Sequence, residues 1–320
     1  MNKPTRNKPT SWSTDNIPPQ QGRRALITGA NSGIGFEAAL ELARHGAEII
    51  LPARTLAKAE DAIARVRSEV PAANITPAIL DLASLASVHA FAEFVTTRFP
   101  GQSLDLLINN AGVMAVPTRE LTVDGYERQF ATNYLGPFAL TALLFAAIKP
   151  RPGSRIVIVS SSASKFGKID FDNLQSERVY KPMFQCYSQS KLADSVFALE
   201  LQRRLTAAGS PILCTAAHPG YAVTNLQTSG PGEGMSLTSF MTTILKPIAS
   251  QDAAHGALPT LFAATSPEAT PGGYYGPNGF QELKGNPVPV KIAPAAKNPA
   301  VAKRLWSVTE QLTGIPFNIA

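Results

Sequence analysis

The sequence predicts an α/β fold built on a doubly wound parallel sheet, with helices on both faces and a single domain. From residue 23 onward, short apolar runs alternate with amphipathic stretches, the order expected of strands and helices in a parallel sheet. The runs are continuously apolar, as expected for strands buried on both faces. A glycine-rich segment follows the first run directly. Together these observations indicate a Rossmann-type arrangement.

Six strands and six helices can be placed in order along the chain. Each strand is a short apolar run, and each helix carries apolar residues at three- and four-residue spacing. The predicted strands are 23–29, 47–54, 74–82, 104–112, 154–162 and 210–220. The predicted helices are 33–45, 56–70, 84–99, 126–148, 187–208 and 298–312. We expect Pro137 to bend the fourth helix.

The chain divides into three segments. Residues 1–22 are rich in Asn, Pro, Thr and Lys and are predicted to form a mobile N-terminal arm. Residues 23–285 form the α/β domain, which includes a Gly-, Ser- and Met-containing loop at 225–250. Residues 286–320 are predicted to be a C-terminal extension that contains the last helix.

Composition and charge exclude several classes of protein. Hydrophobic residues make up 44% of the 320 residues, so a sizeable core is available and global disorder is excluded. The net charge of +6 is spread along the chain without basic clusters between aromatics, which argues against nucleic acid as a partner. Cys186 and Cys214 do not form a CxxC pair, and no His stands at metal-ligand spacing, so no metal site is predicted.

Other features of the sequence indicate where in the cell the protein is found. No run reaches the roughly 18 consecutive apolar residues of a membrane-spanning helix. The first 20 residues contain no apolar segment typical of a signal peptide. Two unpaired cysteines fit a reducing compartment. We therefore expect a cytoplasmic protein without a membrane anchor.

The segment TGANSGIG, residues 28–35, joins the first predicted strand to the first predicted helix. Backbone N–H groups and the positive end of the helix dipole favour an anion at such a helix start. The glycine spacing is GxxxGxG, whereas the usual dinucleotide spacing is GxGxxG. The spacing alone therefore fits a phosphate cradle and a plain tight turn equally well.

The end of the second predicted strand indicates which dinucleotide would bind. An acid at this point bonds the ribose 2′-hydroxyl of NAD, whereas a nearby Arg accommodates the 2′-phosphate of NADP. The strand ends in LPART, with Arg54 and no acid in reach. Arg54 therefore favours NADP(H), with an ordinary surface arginine as the alternative.

Polar residues follow predicted elements at the carboxyl edge of the sheet. A serine triplet, 160–162, ends the fifth strand, and Asn133 lies in the fourth helix. Tyr187 and Lys191 are four residues apart, which puts both side chains on one face of a helix. Each feature alone has an ordinary explanation, because YxxxK pairs arise by chance and serines are common in turns.

The pairing of tyrosine with lysine suggests proton transfer. Free tyrosine has a pKa of about 10 and is a poor base at neutral pH. A lysine ammonium one turn away favours the phenolate, and an oxidised nicotinamide ring adds positive charge. Tyr187 can then move a proton at a carbonyl or carbinol oxygen while hydride moves at carbon. A serine hydroxyl can hold the same oxygen.

Taken jointly, these motifs resemble the short-chain dehydrogenase/reductase family. TGANSGIG is similar to the family's TGxxxGxG cofactor loop, and NNAG at 109–112 matches its NNAG motif. The YSQSK segment at 187–191 and HPG at 218–220 also match, in the family's order. The resemblance implies a Rossmann fold that binds a dinucleotide and catalyses oxidation or reduction.

The resemblance implies a role for each matching residue in cofactor binding. The glycine loop would line the phosphates, and Arg54 would meet the 2′-phosphate. Asp81 and Leu82 would flank the adenine, and Thr224 would touch the carboxamide. The full set of implied cofactor contacts is Gly29, Asn31, Ser32, Gly33, Ile34, Gly35, Arg54, Asp81, Leu82, Asn110, Ala111, Gly112, Tyr187, Lys191, Pro219, Gly220, Ala222 and Thr224.

The implied catalytic residues are Asn133, Ser161, Tyr187 and Lys191. Lys191 would also bond the nicotinamide ribose, and Asn133 would hold a water that relays protons through Lys191. Ser161 is preferred because the family's serine is usually the second of an SS pair. Ser160 and Ser162 stay as alternatives.

One departure points to a branch of the family. Ser161 and Tyr187 are 26 residues apart, about twice the separation in many members. The intervening segment resembles retinol dehydrogenases, protochlorophyllide reductases and anthracycline C-13 ketoreductases. Because the insertion lies near a surface that packs subunits in many relatives, we expect a monomer or homodimer rather than a tetramer.

The predicted partner is a small apolar carbonyl or alcohol substrate, which the protein mainly reduces with NADPH. The predicted substrate contacts are Met114, Ser161, Ala163, Met183, Tyr221, Phe240 and Met241. Two alternatives are weighed against this function. One is dehydration, epimerisation or reduction of a C=C bond, and the other is NADP binding without turnover, which would not require both Tyr187 and Lys191.

Overall fold

The computed structural model of the protein describes residues 11–221 and 251–319. Its strands are β1 (Arg24–Ile27), β2 (Glu48–Ala53), β3 (Ile75–Ile79), β4 (Leu106–Asn109), β5 (Arg155–Val159), β6 (Leu213–Ala217), β7 (Tyr274–Pro277) and β8 (Pro287–Pro289). They form one sheet in the order β3-β2-β1-β4-β5-β6-β7-β8. The predicted fold class, a single α/β domain, is confirmed.

The sheet is parallel from β3 to β7, and β8 runs antiparallel to β7. The chain winds outward from β1 in one direction and from β4 in the other, so the connections after these two neighbouring strands diverge. Such a reversal leaves a crevice at the carboxyl ends of the strands, where ligands of α/β proteins bind. The residues that follow β1 and β4 therefore define the location of the site.

Helices cover both faces of the sheet. They are α1 (Gly33–Arg44), α2 (Leu56–Glu69), α3 (Leu85–Arg98), α4 (Arg128–Ala147), α5 (Ser188–Ala207), α6 (Ala253–Thr265) and α7 (Pro299–Thr313). Apolar side chains of α1, α2 and α6 form one core cluster with the sheet, and those of α3, α4, α5 and α7 form the other. Strands between two such layers are buried on both sides, which explains their continuous apolar sequences.

Helix α4 differs from the prediction of a helix at 126–148 bent by Pro137. It begins at Arg128, because the Glu127 carboxylate accepts hydrogen bonds from the N–H groups of Gln129 and Phe130 and caps the helix. Its irregularity precedes the proline, as a π-helical turn at Ala131–Leu135. Pro137 follows this turn, as the second residue of the α-helical stretch Gly136–Leu144.

By length and composition, the helical segment Arg128–Ala147 could cross a membrane. In the structure, 72% of its most apolar stretch is buried inside the protein. Phe138 of this helix contacts the rings of Phe197 on α5 and Trp306 on α7. Its hydrophobicity is therefore explained by its place between the sheet and two other helices.

The C-terminal third contains elements that the sequence analysis did not predict, namely α6, β7 and β8. The two strands contain Pro and Gly at an unusual density, and Pro259 lies within α6. Strand β8 pairs with β7, and α7 buries Trp306 in the core, so residues beyond 286 form part of the main fold.

Part of the predicted N-terminal arm also contacts the domain. Trp12 packs edge-on against Phe262, and Ile17 is buried.

Candidate active site

The loop between β1 and α1 folds tightly against the end of β4. Gly29 and Gly33 have φ angles of +69° and +56°, which glycine adopts without strain. A Cβ atom on Gly35 would lie 2.4 Å from Asn110 Nδ2 and 2.5 Å from the Gly29 carbonyl oxygen. The glycines at 29 and 35 are therefore required for this close approach of loop, helix and strand.

Thr28 joins the two loops at the centre of the crevice. Its buried hydroxyl oxygen accepts hydrogen bonds from the N–H groups of Asn110 and Ala111, each at 3.0 Å. The Asn110 side-chain amide donates to the Thr28 carbonyl at 2.9 Å. The sequence analysis quoted Thr28 in the glycine motif but gave it no role. The sequence did contain a signal for this role, because a hydroxyl side chain at the buried end of a strand needs hydrogen-bond partners.

The start of α1 supplies the anion-binding features predicted for this loop. Ser32 is the N-cap residue, and its hydroxyl makes no capping bond to the helix. The first N–H groups of any helix lack partners within the helix. Nearby, the guanidinium of Arg65 on α2 lies 3.9 Å from the Phe36 ring centre and 3.5 Å from the Asn31 carbonyl oxygen. The sequence analysis did not single out Arg65, which places a positive charge beside the loop.

The predicted adenosine-binding residues lie at the ends of β2 and β3. Arg54 is exposed directly after β2, and Asp81 and Leu82 follow β3, which is its neighbour in the sheet. The Asp81 carboxylate accepts a hydrogen bond from the N–H of Ala83, and Leu82 is buried. The structure thus places all three at the edge of the crevice predicted for a dinucleotide.

Tyr187 and Lys191 occupy a buried position next to the end of β5. Tyr187 ends a π-helical turn, Pro182–Tyr187, and α5 begins at Ser188 rather than at the predicted residue 187. The Lys191 ammonium donates to the Val159 carbonyl oxygen at 2.9 Å and pairs with Asp194 Oδ2 at 2.9 Å. Both side chains of the predicted YxxxK pair therefore lie at the carboxyl edge of the sheet.

The structure distinguishes the serines of the triplet. Ser160 is buried, and its hydroxyl bonds the Lys191 carbonyl and the Ser195 hydroxyl. Ser161 is half-buried, and its hydroxyl oxygen accepts a hydrogen bond from the N–H of Ala163. Ser160 thus serves to hold α5 on β5, whereas Ser161 and Ser162 are both half-buried and stay as candidates for a substrate contact.

Asn133, on α4, connects helix α5 to the loop after β4. Its amide accepts from the Val113 N–H at 2.7 Å, donates to the Val113 carbonyl at 2.9 Å and donates to the Ser190 hydroxyl at 2.9 Å. A Cβ atom on Gly112 would lie 3.2 Å from Asn133 Oδ1 and 3.5 Å from Lys191 Nζ. The structure therefore brings Asn133, Gly112 and Lys191 together, and Asn133 lies in a π-helical turn of the kind often found at functional sites.

A glycine cradle at the topological switch point and a buried tyrosine–lysine pair beside it are characteristic of one group of enzymes. A family model described as short chain dehydrogenase matches residues 23–231 of this chain. The chain belongs to the short-chain dehydrogenase family. The family predicted from the motifs is thereby confirmed, and with it the oxidoreductase class.

Individual relatives extend the similarity over most of this short-chain dehydrogenase. Retinol dehydrogenase 14 of Mus musculus is 39% identical over 313 residues, covering 92% of this chain and 86% of that protein. A crystal structure from Mycobacterium Paratuberculosis is 39% identical, with a TM-score of 0.78, and covers 97% of this chain and 100% of that one. A blue fluorescent protein from a metagenomic library, solved with NADPH, is 25% identical with a TM-score of 0.60 and covers 79% and 95% of the two chains.

On the substrate side of this short-chain dehydrogenase, the predicted contacts come from four separate segments. Met114 and Ala163 are half-buried after β4 and β5, and Met183 is 37% exposed in the turn before Tyr187. The Tyr221 N–H donates to the Leu283 carbonyl, which anchors it after β6. The predicted substrate contacts Phe240 and Met241, the predicted cofactor contacts Ala222 and Thr224, and the loop 225–250 lie outside the described residues.

The turn after β6 is held by the C-terminal part of the chain. Gly220 has φ +69°, and a Cβ atom there would lie 2.4 Å from the Leu283 carbonyl oxygen. The Pro219 carbonyl accepts a hydrogen bond from the Gln251 side chain. Pro219 and Gly220, both predicted cofactor contacts, are therefore positioned by residues that follow the loop 225–250 in the chain.

Glu282 anchors this arrangement. Its carboxylate bonds His218 Nε2 at 2.9 Å and Lys165 Nζ at 2.7 Å. The bond from His218, together with the Lys165 ammonium, outweighs partial burial and lowers the pKa of Glu282 to about 2. Glu282 also adopts φ +59°, a left-handed conformation that its ionic contacts hold in place.

Replacing Glu282 with glutamine is expected to lower the free energy of unfolding by about 1 kcal/mol at pH 7, a value reduced for solvent exposure. Because folding lowers the pKa of Glu282, its stabilisation is complete above about pH 4.5 and disappears as the pH falls towards 2. Urea unfolding at pH 7 and pH 3 should therefore show a smaller difference between the two proteins at pH 3. The exposed Glu268→Gln is the control, and an equal difference at both pH values would contradict the argument.

Proposed function

We propose that the protein is an NADP(H)-dependent carbonyl reductase that converts an apolar ketone or aldehyde to the alcohol and catalyses the reverse oxidation. One observation carries this proposal: Tyr187 and Lys191 lie buried, and the Lys191 ammonium reaches both the end of β5, at the Val159 carbonyl, and Gly112 in the loop after β4. Proton transfer to a carbonyl oxygen requires a donor in this position.

The residues present fit a dinucleotide. Side chains are excluded at Gly29 and Gly35, which lets the backbone approach a pyrophosphate closely, and the Ser32 hydroxyl is not used in capping. When bound, NADPH supplies the hydride that reaches the carbonyl carbon. Arg54, exposed after β2, would pair with the 2′-phosphate, while Asp81 and Leu82 would border the adenine. The NADPH complex of a relative with the same fold supports this assignment.

The chain's own side chains handle the proton. The Tyr187 hydroxyl gives its proton to the substrate oxygen as the carbonyl becomes a carbinol, and it takes the proton back in oxidation. The positive charge of Lys191 stabilises the phenolate that this transfer leaves on Tyr187. The Ser161 hydroxyl donates a hydrogen bond to the same substrate oxygen, which stabilises the charge that develops on it.

Two features support an apolar substrate. Met114, Ala163 and Met183 present apolar groups on the predicted substrate side. Retinol dehydrogenase 14 is named for an apolar alcohol, and its similarity covers 92% of this chain. We therefore propose apolar, unphosphorylated aldehydes and ketones, with retinal as the first compound to try.

The test is a screen of aliphatic, aromatic and isoprenoid aldehydes and ketones that follows NADPH absorbance, with products identified by mass spectrometry. The proposal predicts NADPH oxidation with stoichiometric formation of an alcohol. Transfer of label from deuterated NADPH to the carbinol carbon would distinguish this reaction from reduction of a C=C bond. Binding of NADPH without consumption of any carbonyl compound would contradict the proposal.

Replacing Arg54 with alanine is expected to weaken NADPH binding by about 10- to 100-fold, because a charge-assisted bond to the 2′-phosphate is lost. NADH binding should not change, since NADH has no 2′-phosphate. Fluorescence titration with both dinucleotides measures the two affinities. Lys303→Ala on α7, which removes an exposed positive charge elsewhere, is the control. An unchanged preference for NADPH in Arg54→Ala would show that another residue reads the phosphate.

A further inference from the structure

A buried acid lies one helical turn beyond the predicted catalytic lysine. Asp194 Oδ2 is 2.9 Å from Lys191 Nζ, and the two side chains are 1% and 6% exposed. The second carboxylate oxygen, Oδ1, is buried and has no hydrogen-bond partner among the described residues. Desolvation offsets most of the attraction in such a buried pair, so a gain in stability does not explain its presence.

The lysine depends on this acid. Among the described residues, Asp194 is the acid paired with Lys191, and the remaining bond of the ammonium goes to the neutral Val159 carbonyl. Burial opposes the charge of Lys191, but the Asp194 carboxylate and the Tyr187 oxygen outweigh it, and the pKa of Lys191 is raised. A buried lysine without a counter-ion would instead lose its proton readily.

The groups that surround Asp194 leave this pair electrostatically isolated. Burial raises the pKa of Asp194 to about 6, and Lys191 is the charged group that opposes the rise. Helix α4 contributes the Tyr134 phenol, and burial keeps this phenol neutral by raising its pKa.

Cations on two other elements that pack on α5 have partners of their own. Lys165, in the turn after β5, pairs with Glu282. Arg304 on α7 lies over the Phe171 ring. Within the described part of the chain, neither of these two cations therefore competes with Lys191 for the Asp194 carboxylate.

We propose that Asp194 is the counter-ion that keeps Lys191 charged and in place beneath the end of β5, so that the lysine supports Tyr187 at neutral and alkaline pH. Asp194 is a positioning residue, since it acts through Lys191. The inference rests on the proposed reductase function, because it assigns a task to the lysine of that site.

The first test compares kcat/KM for carbonyl reduction in wild type and Asp194→Asn between pH 5.5 and 8.5. The amide of asparagine fills the same space, but it is neutral and cannot stabilise the Lys191 ammonium as a counter-ion. The two enzymes should differ least at pH 5.5, because burial raises the pKa of Asp194 and the wild-type carboxylate is most protonated at the acidic end of the range. The wild type should then gain an advantage of at least about tenfold by pH 8.5, because the variant's lysine loses its proton. A ratio that does not vary with pH would overturn the proposal.

The second test observes Lys191 directly and needs no turnover. Protein labelled with ¹⁵N at the lysine Nζ atoms is titrated by NMR, and Lys191→Met identifies the signal. The Lys191 ammonium should titrate at least about one pH unit lower in Asp194→Asn than in wild type. Identical titrations would overturn the inference even in an active reductase. A shifted titration in a protein that reduces no carbonyl compound would overturn only the proposed function.

Matched variants separate charge from packing. Glu200→Gln removes another buried acid from α5, one paired with Arg203 and Arg204, and should lower stability without changing the pH dependence of kcat/KM. Asp194→Glu retains the charge and should retain the wild-type pH dependence. If Asp194→Asn does not fold, Asp194→Ser provides a smaller neutral side chain for which the same shift is expected. A wild-type pH profile in the neutral variant would contradict the proposal.

Discussion

Replacing Tyr187 with phenylalanine is expected to lower kcat for carbonyl reduction by about 1000-fold, the usual contribution of a positioned acid. The change removes one oxygen from a side chain that is 6% exposed, so the ring can keep its place in the core. The substrate oxygen then has no proton donor as the carbonyl becomes a carbinol. NADPH affinity should remain close to that of the wild type, which isothermal calorimetry can measure on the same preparation.

Tyr180→Phe is the matched control for this substitution. Tyr180 lies seven residues earlier, and its hydroxyl donates to the Val116 carbonyl oxygen outside the catalytic cluster. Its loss should reduce stability slightly and leave kcat for carbonyl reduction close to that of the wild type. Retention of wild-type kcat by Tyr187→Phe would show that another group supplies the proton, and the proposed role of Tyr187 would be wrong.

Replacing Gly35 with alanine is expected to lower the free energy of unfolding by about 2–3 kcal/mol and to weaken NADPH binding at least about tenfold. The new methyl group would lie 2.4 Å from Asn110 Nδ2 and 2.5 Å from the Gly29 carbonyl oxygen. One of these neighbours is backbone, so α1 must move away from the loop. That movement displaces the first N–H groups of the helix from the position of the phosphates.

Denaturant unfolding and fluorescence titration with NADPH measure the two effects. Gly314→Ala at the end of α7 is a suitable control, because a Cβ atom there would meet nothing within 4 Å. Its cost should be limited to the positive φ of +69°, about 1 kcal/mol, with no change in NADPH affinity. Normal NADPH binding by folded Gly35→Ala would show that the loop is only a structural turn.

The sequence predicted the first six strands and most of their helices because buried parallel strands have continuous apolar runs that stand out between polar stretches. The sequence analysis missed the elements whose residues do not favour the secondary structure that they adopt. Helix α6 contains Pro259, and β7 and β8 are made largely of Gly, Pro and Tyr, so neither periodicity nor propensity marks them. Their places depend on tertiary contacts: β7 pairs with β6, β8 pairs with β7, and α6 packs in the core on one face of the sheet.

Some contacts at the site were similarly hidden. The hydroxyl of Thr28 binds two N–H groups 82 and 83 residues away, a contact that depends on β1 and β4 being neighbours. Glu282 reaches His218 and Lys165 across comparable distances in the chain. Such long-range partners cannot be inferred from spacing in one sequence, because no local period relates them.

By itself, the sequence determined the fold class, the family, and the positions of the glycine loop and the Tyr187–Lys191 pair, since each depends on residues close together in the chain. The tertiary structure decided which polar groups are buried and what they contact. It showed that Ser160 holds α5 while Ser161 stays half-buried, and it turned Asp194 from an ordinary helix acid into the buried partner of Lys191. Burial is the physical reason, because a charge that is removed from water interacts strongly with the neighbouring charges and dipoles.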